Sequence, residues 1–132
     1  MSKKPRIIDG KKVAAAIRAE IKTEVDALKK RGINPGLAVV IVGEDPASQI
    51  YVRNKAKACD EAGIASFVHR LPANATERRL LNLVRKLNDD SRVHSILVQS
   101  PLPNQIDEAK IVYAIDPAKD ADGFHPVSVG NL

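Results

Sequence analysis

Tyr51 and Lys55 stand four residues apart in the stretch Asp45-Pro46-Ala47-Ser48-Gln49-Ile50-Tyr51-Val52-Arg53-Asn54-Lys55. On a helix that spacing places a phenol and an amine on one face, with Ser48 one turn earlier on nearly the same face. The stretch opens with helix-start chemistry, since Asp45 can cap a helix and Pro46 suits its first position. A lysine whose pKa is lowered by burial can serve as a general acid or base, and a neighbouring phenol can hydrogen-bond it or stack on a flat ligand. Taken alone, Lys55 is as well read as a solvated charge and Tyr51 as a half-buried packing residue. What decides is which other groups face them.

Two other stretches carry chemistry. Gln99 follows the apolar run Val93-His94-Ser95-Ile96-Leu97-Val98 and precedes Ser100-Pro101-Leu102-Pro103. A glutamine there can orient an amine or bind the amide edge of a heterocycle. The two prolines make a stiff apolar wall. The plainer alternatives are a strand-end surface residue and a strand terminator. Lys119-Asp120-Ala121-Asp122-Gly123-Phe124-His125-Pro126 packs acids, glycine and histidine into irregular chain. A loop carboxylate can bind an amino-pyrimidine ring through paired hydrogen bonds. The alternative is an Asx turn around Gly123. Asp-x-Asp with one histidine lacks a fuller ligand set, so no metal site is expected. His69 and His94 fall in strands and are expected to be structural.

The elements that must position these residues alternate. Ile7-Ile8 is expected as a short strand. A long helix from Asp9-Gly10 carries Val13, Ile17, Ile21, Val25 and Leu28 on one face and ends at Gly32. Residues 37–42 read as a strand buried on both faces. The Tyr51/Lys55 helix runs to about Ala62 and stops at Gly63. Residues 64–71 form a second strand, and Thr76 caps a third helix with Leu80, Leu81, Val84 and Leu87. Residues 93–98 form a third strand, Asp107 caps a short fourth helix, and residues 119–132 are expected to be mostly irregular. This alternation predicts an α/β fold, a three-layer αβα arrangement with a mainly parallel sheet. Ligands of such sheets bind beyond the carboxyl ends of the strands, where Ser48, Tyr51 and Lys55 would meet Gln99 and the proline segment.

Composition narrows the class. The 132 residues suit one domain, 44% hydrophobic and 28% charged, with no tryptophan and an aliphatic core. The net charge of +5 comes from scattered rather than blocked basic residues, so nucleic-acid binding is not expected. A mild basic excess suits an anionic small substrate. The single Cys59 excludes an internal disulfide framework and fits a reducing compartment. Apolar runs are too short to cross a bilayer, and the charged start at residues 1–6 lacks the apolar centre of a signal peptide. The cytoplasm is the expected location, with no membrane partner.

The motifs together resemble a known family. The stretch 45–55 is similar to the signature of the bifunctional methylenetetrahydrofolate dehydrogenase/methenyltetrahydrofolate cyclohydrolase family. Val98-Gln99-Ser100-Pro101-Leu102-Pro103 resembles its second motif and residues 117–126 its third, while Ile8-Asp9-Gly10-Lys11 fits its start. The resemblance covers the whole chain. It implies an enzyme of folate one-carbon metabolism, and so of purine biosynthesis. The family oxidises methylenetetrahydrofolate with NADP, or NAD in some members, and hydrolyses the methenyl product to formyltetrahydrofolate. It also implies roles: Lys55 as the central catalytic residue, Tyr51 stacking on or ordering the folate, Gln99 holding Lys55, and Asp122 gripping the pterin. Ser48, Val98, Ser100, Pro101, Leu102 and Pro103 would line the substrate pocket. A protonated lysine would be repelled by the cationic methenyl substrate, so a neutral Lys55 is the working form the chemistry favours.

Two departures stand out. Ser100 occupies a position where the family usually has leucine. Family members are also about twice as long, with a Rossmann-type cofactor domain and a returning final segment, and no G-x-G-x-x-G occurs in these residues. The expectation is therefore residues 1–132 as the folate-binding catalytic domain alone, with the Rossmann domain absent and no cofactor bound. Dehydrogenase activity is not expected, and cyclohydrolase activity would be weak or absent. Family dimers form largely through the missing domain, so a monomer is expected, or a dimer through apolar surface left uncovered. A short-chain dehydrogenase, which also uses Tyr-x-x-x-Lys, would need a glycine-rich loop that residues 39–43 do not supply. The remaining alternative is a non-catalytic folate- or partner-binding domain.

Overall fold

The computed structural model describes residues 4–132; residues 1–3, part of the charged start weighed above as a targeting segment, lie outside them. Strand β1 (Gly36–Val42) is apolar from Leu37 to Val42 and takes the centre of the sheet. It pairs in parallel with β2 (Ala65–Leu71) on one side and β3 (Ser95–Val98) on the other, in the order β2-β1-β3. Ala38, Val40 and Val42 face one layer and join Leu80, Val84 and Leu87 of α3 (Glu77–Asp89) and Ile111 of α4 (Glu108–Ala114). Val39 and Ile41 face the other and join Val52 of α2 (Pro46–Ala62). Helix α1 (Gly10–Lys30) packs against α2. This is the expected three-layer αβα arrangement around a parallel sheet. Among the described residues, no helix is long and apolar enough to cross a membrane.

The helix starts follow from local chemistry. In the first turns of α1 to α4 a side chain accepts a backbone N–H: Asp9 from Lys12, Asp45 from Ser48, Thr76 from Arg79 and Asp107 from Ala109. Gly63 ends α2 at φ 82°, a left-handed conformation that costs glycine least.

Four expectations change. Ile7 and Ile8 form no strand; they lie in irregular chain, 88% and 83% exposed, with no described strand beside them to pair. The apolar stripe of α1 is covered only near its end. Val25 is 4% exposed, but Val13 and Ile17 are each 49% exposed. Strand β3 begins at Ser95 rather than residue 93. Ahead of it, Gly36 N–H donates to the His94 ring Nδ1 at 3.1 Å, and His94 N–H donates to Gly36 C=O at 2.9 Å. His94 is thus structural, as expected. Residues 119–132 are less irregular than expected. A 3₁₀ turn (Pro117–Lys119) leads to an isolated parallel bridge between Ile96 and Asp120, and α5 (Pro126–Gly130) follows. His125 Nδ1 accepts Val127 N–H at 3.1 Å and caps α5, with Pro126 at its first position. A five-residue helix is too short to show periodicity.

The close approach at Gly36 yields a test. A β-carbon there would lie 2.1 Å from the Arg92 carbonyl oxygen, a backbone atom that cannot swing aside, and 3.0 Å from the Phe67 ring. Gly36→Ala is expected to lower stability by about 1–3 kcal/mol or more, as overpacking does. Gly10→Ala, with nothing within 4 Å of its added methyl, should leave the urea midpoint near wild type. Equal midpoints for the two variants would contradict the packing described.

Candidate active site

Beyond β3 the backbone is still held by β1, because Gln99 N–H donates to Val40 C=O at 2.8 Å. The Gln99 side chain is therefore presented from fixed backbone. Its Oε1 accepts from Lys55 Nζ at 2.8 Å, and its Nε2 donates to Ser100 C=O at 3.0 Å. Ser48 Oγ donates to the same carbonyl at 3.3 Å, and Ser48 is buried. Lys55 Nζ lies 5.9 Å from the centre of the Tyr51 ring. Tyr51 is 56% exposed, which suits stacking on a flat ligand better than core packing. One hydrogen-bonded path thus ties α2 to the end of β3 at the sheet's carboxyl edge. The α2 start is anchored too: Asp45 accepts Ser48 N–H at 2.9 Å, and that bond holds its carboxyl below the ordinary range.

The acidic loop divides its labour between two aspartates. Asp120 accepts Gly123 N–H at 3.1 Å, His125 N–H at 2.8 Å and Ser128 Oγ at 2.9 Å. Burial pushes its carboxyl up, but these donors outweigh burial and hold it below the usual range. Asp122 accepts no hydrogen bond among the described residues. Desolvation pushes its carboxyl up; the Lys55 charge pulls it back and the Asp120 charge adds to the rise. Asp120 makes the Asx turn, and Asp122, which accepts no hydrogen bond among the described residues, lies within electrostatic reach of Lys55.

A cavity of about 100 Å³ opens beside this loop, lined in part by Val98, Ser100, Leu102, Glu108, Asp122 and Phe124. The anticipated Val98, Ser100, Leu102 and Asp122 meet there. Ser48, Tyr51, Lys55 and Gln99 lie outside its lining, joined to it through the Ser100 carbonyl. Pro101 and Pro103 do not line it either; Pro103 C=O instead accepts Ile106 N–H at 3.0 Å and turns the chain toward α4. A larger groove of about 630 Å³ runs between β2 and α3 but contains none of these residues. Convergence of polar groups, not volume, marks the candidate site.

Sequence reasoning passed over Glu108 and Phe124. Glu108 Oε2 accepts from Ser100 Oγ at 3.3 Å, and its Oε1 accepts from Leu102 N–H at 2.8 Å. Phe124, 65% exposed, is a second aromatic ring at the rim. An exposed aromatic in a glycine-containing loop was the available signal for Phe124. No spacing rule announced Glu108. His125 caps α5, and its ring meets Tyr113 edge-on at 5.9 Å.

Among the described residues, no three His, Cys, Asp or Glu side chains are placed to hold a metal ion. The first βα turn, Gly43-Glu44-Asp45, does not suit a dinucleotide pyrophosphate: it carries two acids, and the α2 N-terminus behind it is already capped by Asp45 and opens with Pro46, which has no N–H.

Comparison with known proteins places this geometry. A family model described as tetrahydrofolate dehydrogenase/cyclohydrolase, catalytic domain, matches residues 8–122. The bifunctional protein FolD of Moorella thermoacetica is 62% identical over 127 residues, 96% of this chain and 45% of that protein. The FolD of Acetivibrio thermocellus is 56% identical over the same shares. The crystal structure of the Campylobacter jejuni bifunctional FolD superposes with a TM-score of 0.91 at 51% identity, over 92% of this chain and 43% of that one. The Trypanosoma brucei FolD, solved with NADP and an inhibitor, superposes with a TM-score of 0.93 at 43% identity, over 98% and 44%. The chain thus spans a little under half the length of these relatives. On the extent of the family match and these identities, it belongs to the tetrahydrofolate dehydrogenase/cyclohydrolase family, within the catalytic domain.

Proposed function

We propose that this chain is the folate-binding, catalytic part of an enzyme that oxidises methylenetetrahydrofolate and hydrolyses the methenyl product to formyltetrahydrofolate. The observation that carries the reading is the 2.8 Å contact of Lys55 Nζ with Gln99 Oε1, beside Tyr51 and within electrostatic reach of Asp122. Tyr51 stacks on the folate, and the Asp122 carboxylate accepts paired hydrogen bonds from the pterin amino-pyrimidine edge. Ser48, Val98, Ser100 and Leu102, with the Pro101 and Pro103 backbone, shape the pocket. Formyl-group supply makes purine biosynthesis a natural consumer, and a lone buried Cys59 suits the cytoplasm.

The hydrolytic step needs no metal. The methenyl carbon is already cationic, so water attacks it directly once positioned. The new C–O bond forms as the Lys55 amine, oriented by Gln99, relays one water proton to solvent. The carbinol intermediate then breaks one of its two C–N bonds, its hydroxyl proton moves to the departing nitrogen, and the carbon is left as a formyl group. For the oxidative step, the acids of the first βα turn do not suit a dinucleotide. We place the residues that bind NADP outside these 132, consistent with a chain spanning 45% of its relative. That same share supports a second reading, in which the isolated chain binds folate without turnover, as a monomer.

Titrating the chain with a folate analogue and assaying methenyl hydrolysis on the same sample separates the two readings. Binding with weak or no turnover is expected. NADP-dependent oxidation by these 132 residues would overturn the placement of the cofactor site. In a longer protein that contains this domain and turns over, Lys55→Met should lower methenyl hydrolysis by about 100-fold or more; undiminished turnover would sink the assignment.

The two aspartates predict an ordered response to acid. Asp122, raised, protonates above the ordinary carboxylate pH, so analogue affinity should fall first. Asp120, lowered, contributes stability that is full above the unfolded value near 3.9 and is lost only as pH falls through its lower folded value. Analogue affinity should therefore decline while far-UV circular dichroism is still native. Asp122→Asn should weaken binding at neutral pH and flatten the decline. Simultaneous loss of binding and structure would refute the separate roles.

A further inference from the structure

We propose that Glu108 is a positioning residue that sets the orientation of the Gln99 amide, and through it the Lys55 amine. This deepens the function proposed above and rests on it for its catalytic meaning.

The segment after Gln99 has few means of holding itself. Pro101 and Pro103 have no N–H, so between Ser100 and Pro103 the backbone donors are Ser100 and Leu102 alone. β3 ends at Val98, so no sheet ladder anchors residues 100–103. The Glu108 carboxylate supplies the missing acceptor. One oxygen takes Leu102 N–H at 2.8 Å, and the other takes Ser100 Oγ at 3.3 Å. A carboxylate spanning two donors makes charge-assisted bonds of the stronger kind. Glu108 is itself held at the first position of α4, where Asp107 caps the helix and accepts Ala109 N–H at 2.9 Å.

The clamped segment contains the Ser100 carbonyl, on which the site converges. That oxygen accepts from Gln99 Nε2 at 3.0 Å and from Ser48 Oγ at 3.3 Å. A primary amide has one donor end and one acceptor end. Because a carbonyl only accepts, it selects the rotamer in which Gln99 turns NH₂ toward Ser100 and oxygen toward Lys55, the 2.8 Å contact observed. Were the Ser100 carbonyl to move, the amide could turn over and present NH₂ to the amine, removing the acceptor. The Ser100 hydroxyl is one of the two groups Glu108 holds.

The test reads Gln99 directly and does not need folate. In the 132-residue chain, side-chain ¹⁵N–¹H spectra should show the Gln99 NH₂ pair shifted and with a small temperature coefficient. Glu108→Met keeps length and helix propensity but removes both acceptor oxygens. It should move the pair toward free-glutamine values and weaken folate-analogue binding by about five- to tenfold. Glu108→Gln, whose oxygen can accept Leu102 N–H while its NH₂ donates to Ser100 Oγ, should restore the wild-type pair and bind within about twofold. Ser100→Ala, which keeps the carbonyl and the Leu102 bond, should fall between them. An unchanged Gln99 pair in folded Glu108→Met would overturn the proposal, as would Glu108→Gln failing to restore it. Absence of analogue binding in wild type would instead count against the folate reading, while the Gln99 spectra still decide the role of Glu108.

Discussion

Strand β1 is enclosed on every side but its ends. It pairs with both neighbouring strands, and Ala38, Val39 and Val40 are completely buried between two helical layers. Burying a valine side chain contributes about 1.5–3 kcal/mol relative to exposure, so this strand organises the domain. Enclosure also dictates where polar chemistry can sit. A strand with no free face or edge can present polar groups only beyond its termini, and β3 stops opposite Val40, two residues before β2 stops opposite Val42. Val40 then has a second role, since its carbonyl fixes Gln99 one residue past the end of β3.

From that edge the site is assembled through acceptors rather than through a deep cavity. The Ser100 carbonyl gathers Ser48 and Gln99, Gln99 turns its oxygen to Lys55, and Glu108 holds the chain that carries the carbonyl. The neighbouring cavity is only about 100 Å³, below the usual size of a small-molecule site. Oriented polar groups thus stand beside a small recess, with Tyr51 exposed outside it. The loop aspartates show how two identical side chains come to differ. Three donors hold Asp120 ionised as a strut, whereas Asp122 has none among the described residues and feels desolvation first.

The sequence was legible wherever cause and effect lie within a few residues. Asp9, Asp45, Thr76 and Asp107 announced their helices, because a cap bonds within three positions. The Leu37 to Val42 run announced a doubly buried strand, because only such a strand is apolar at every position. The motifs around Lys55, Gln99 and Asp122 announced a family, and the rule for parallel sheets brought the first two to one edge. Reading failed where an outcome depended on a partner. Ile7 and Ile8 have the composition of a strand but no described neighbour to pair with. The α1 stripe has the period of a buried face, yet is covered only toward Val25.

By itself, then, the sequence determined the alternation of elements, a strand buried on both faces, the helix that carries Tyr51 and Lys55, and the residue types available at the candidate site. These follow from local hydrogen bonding and from the periodicity of apolar side chains. Tertiary structure alone decided which way the Gln99 amide faces, which of Asp120 and Asp122 is free, and that Glu108 reaches back to Ser100 and Leu102. Each of these depends on an oxygen meeting a donor across a fold in the chain. Such a meeting is set by distance in space, which the order of residues does not contain.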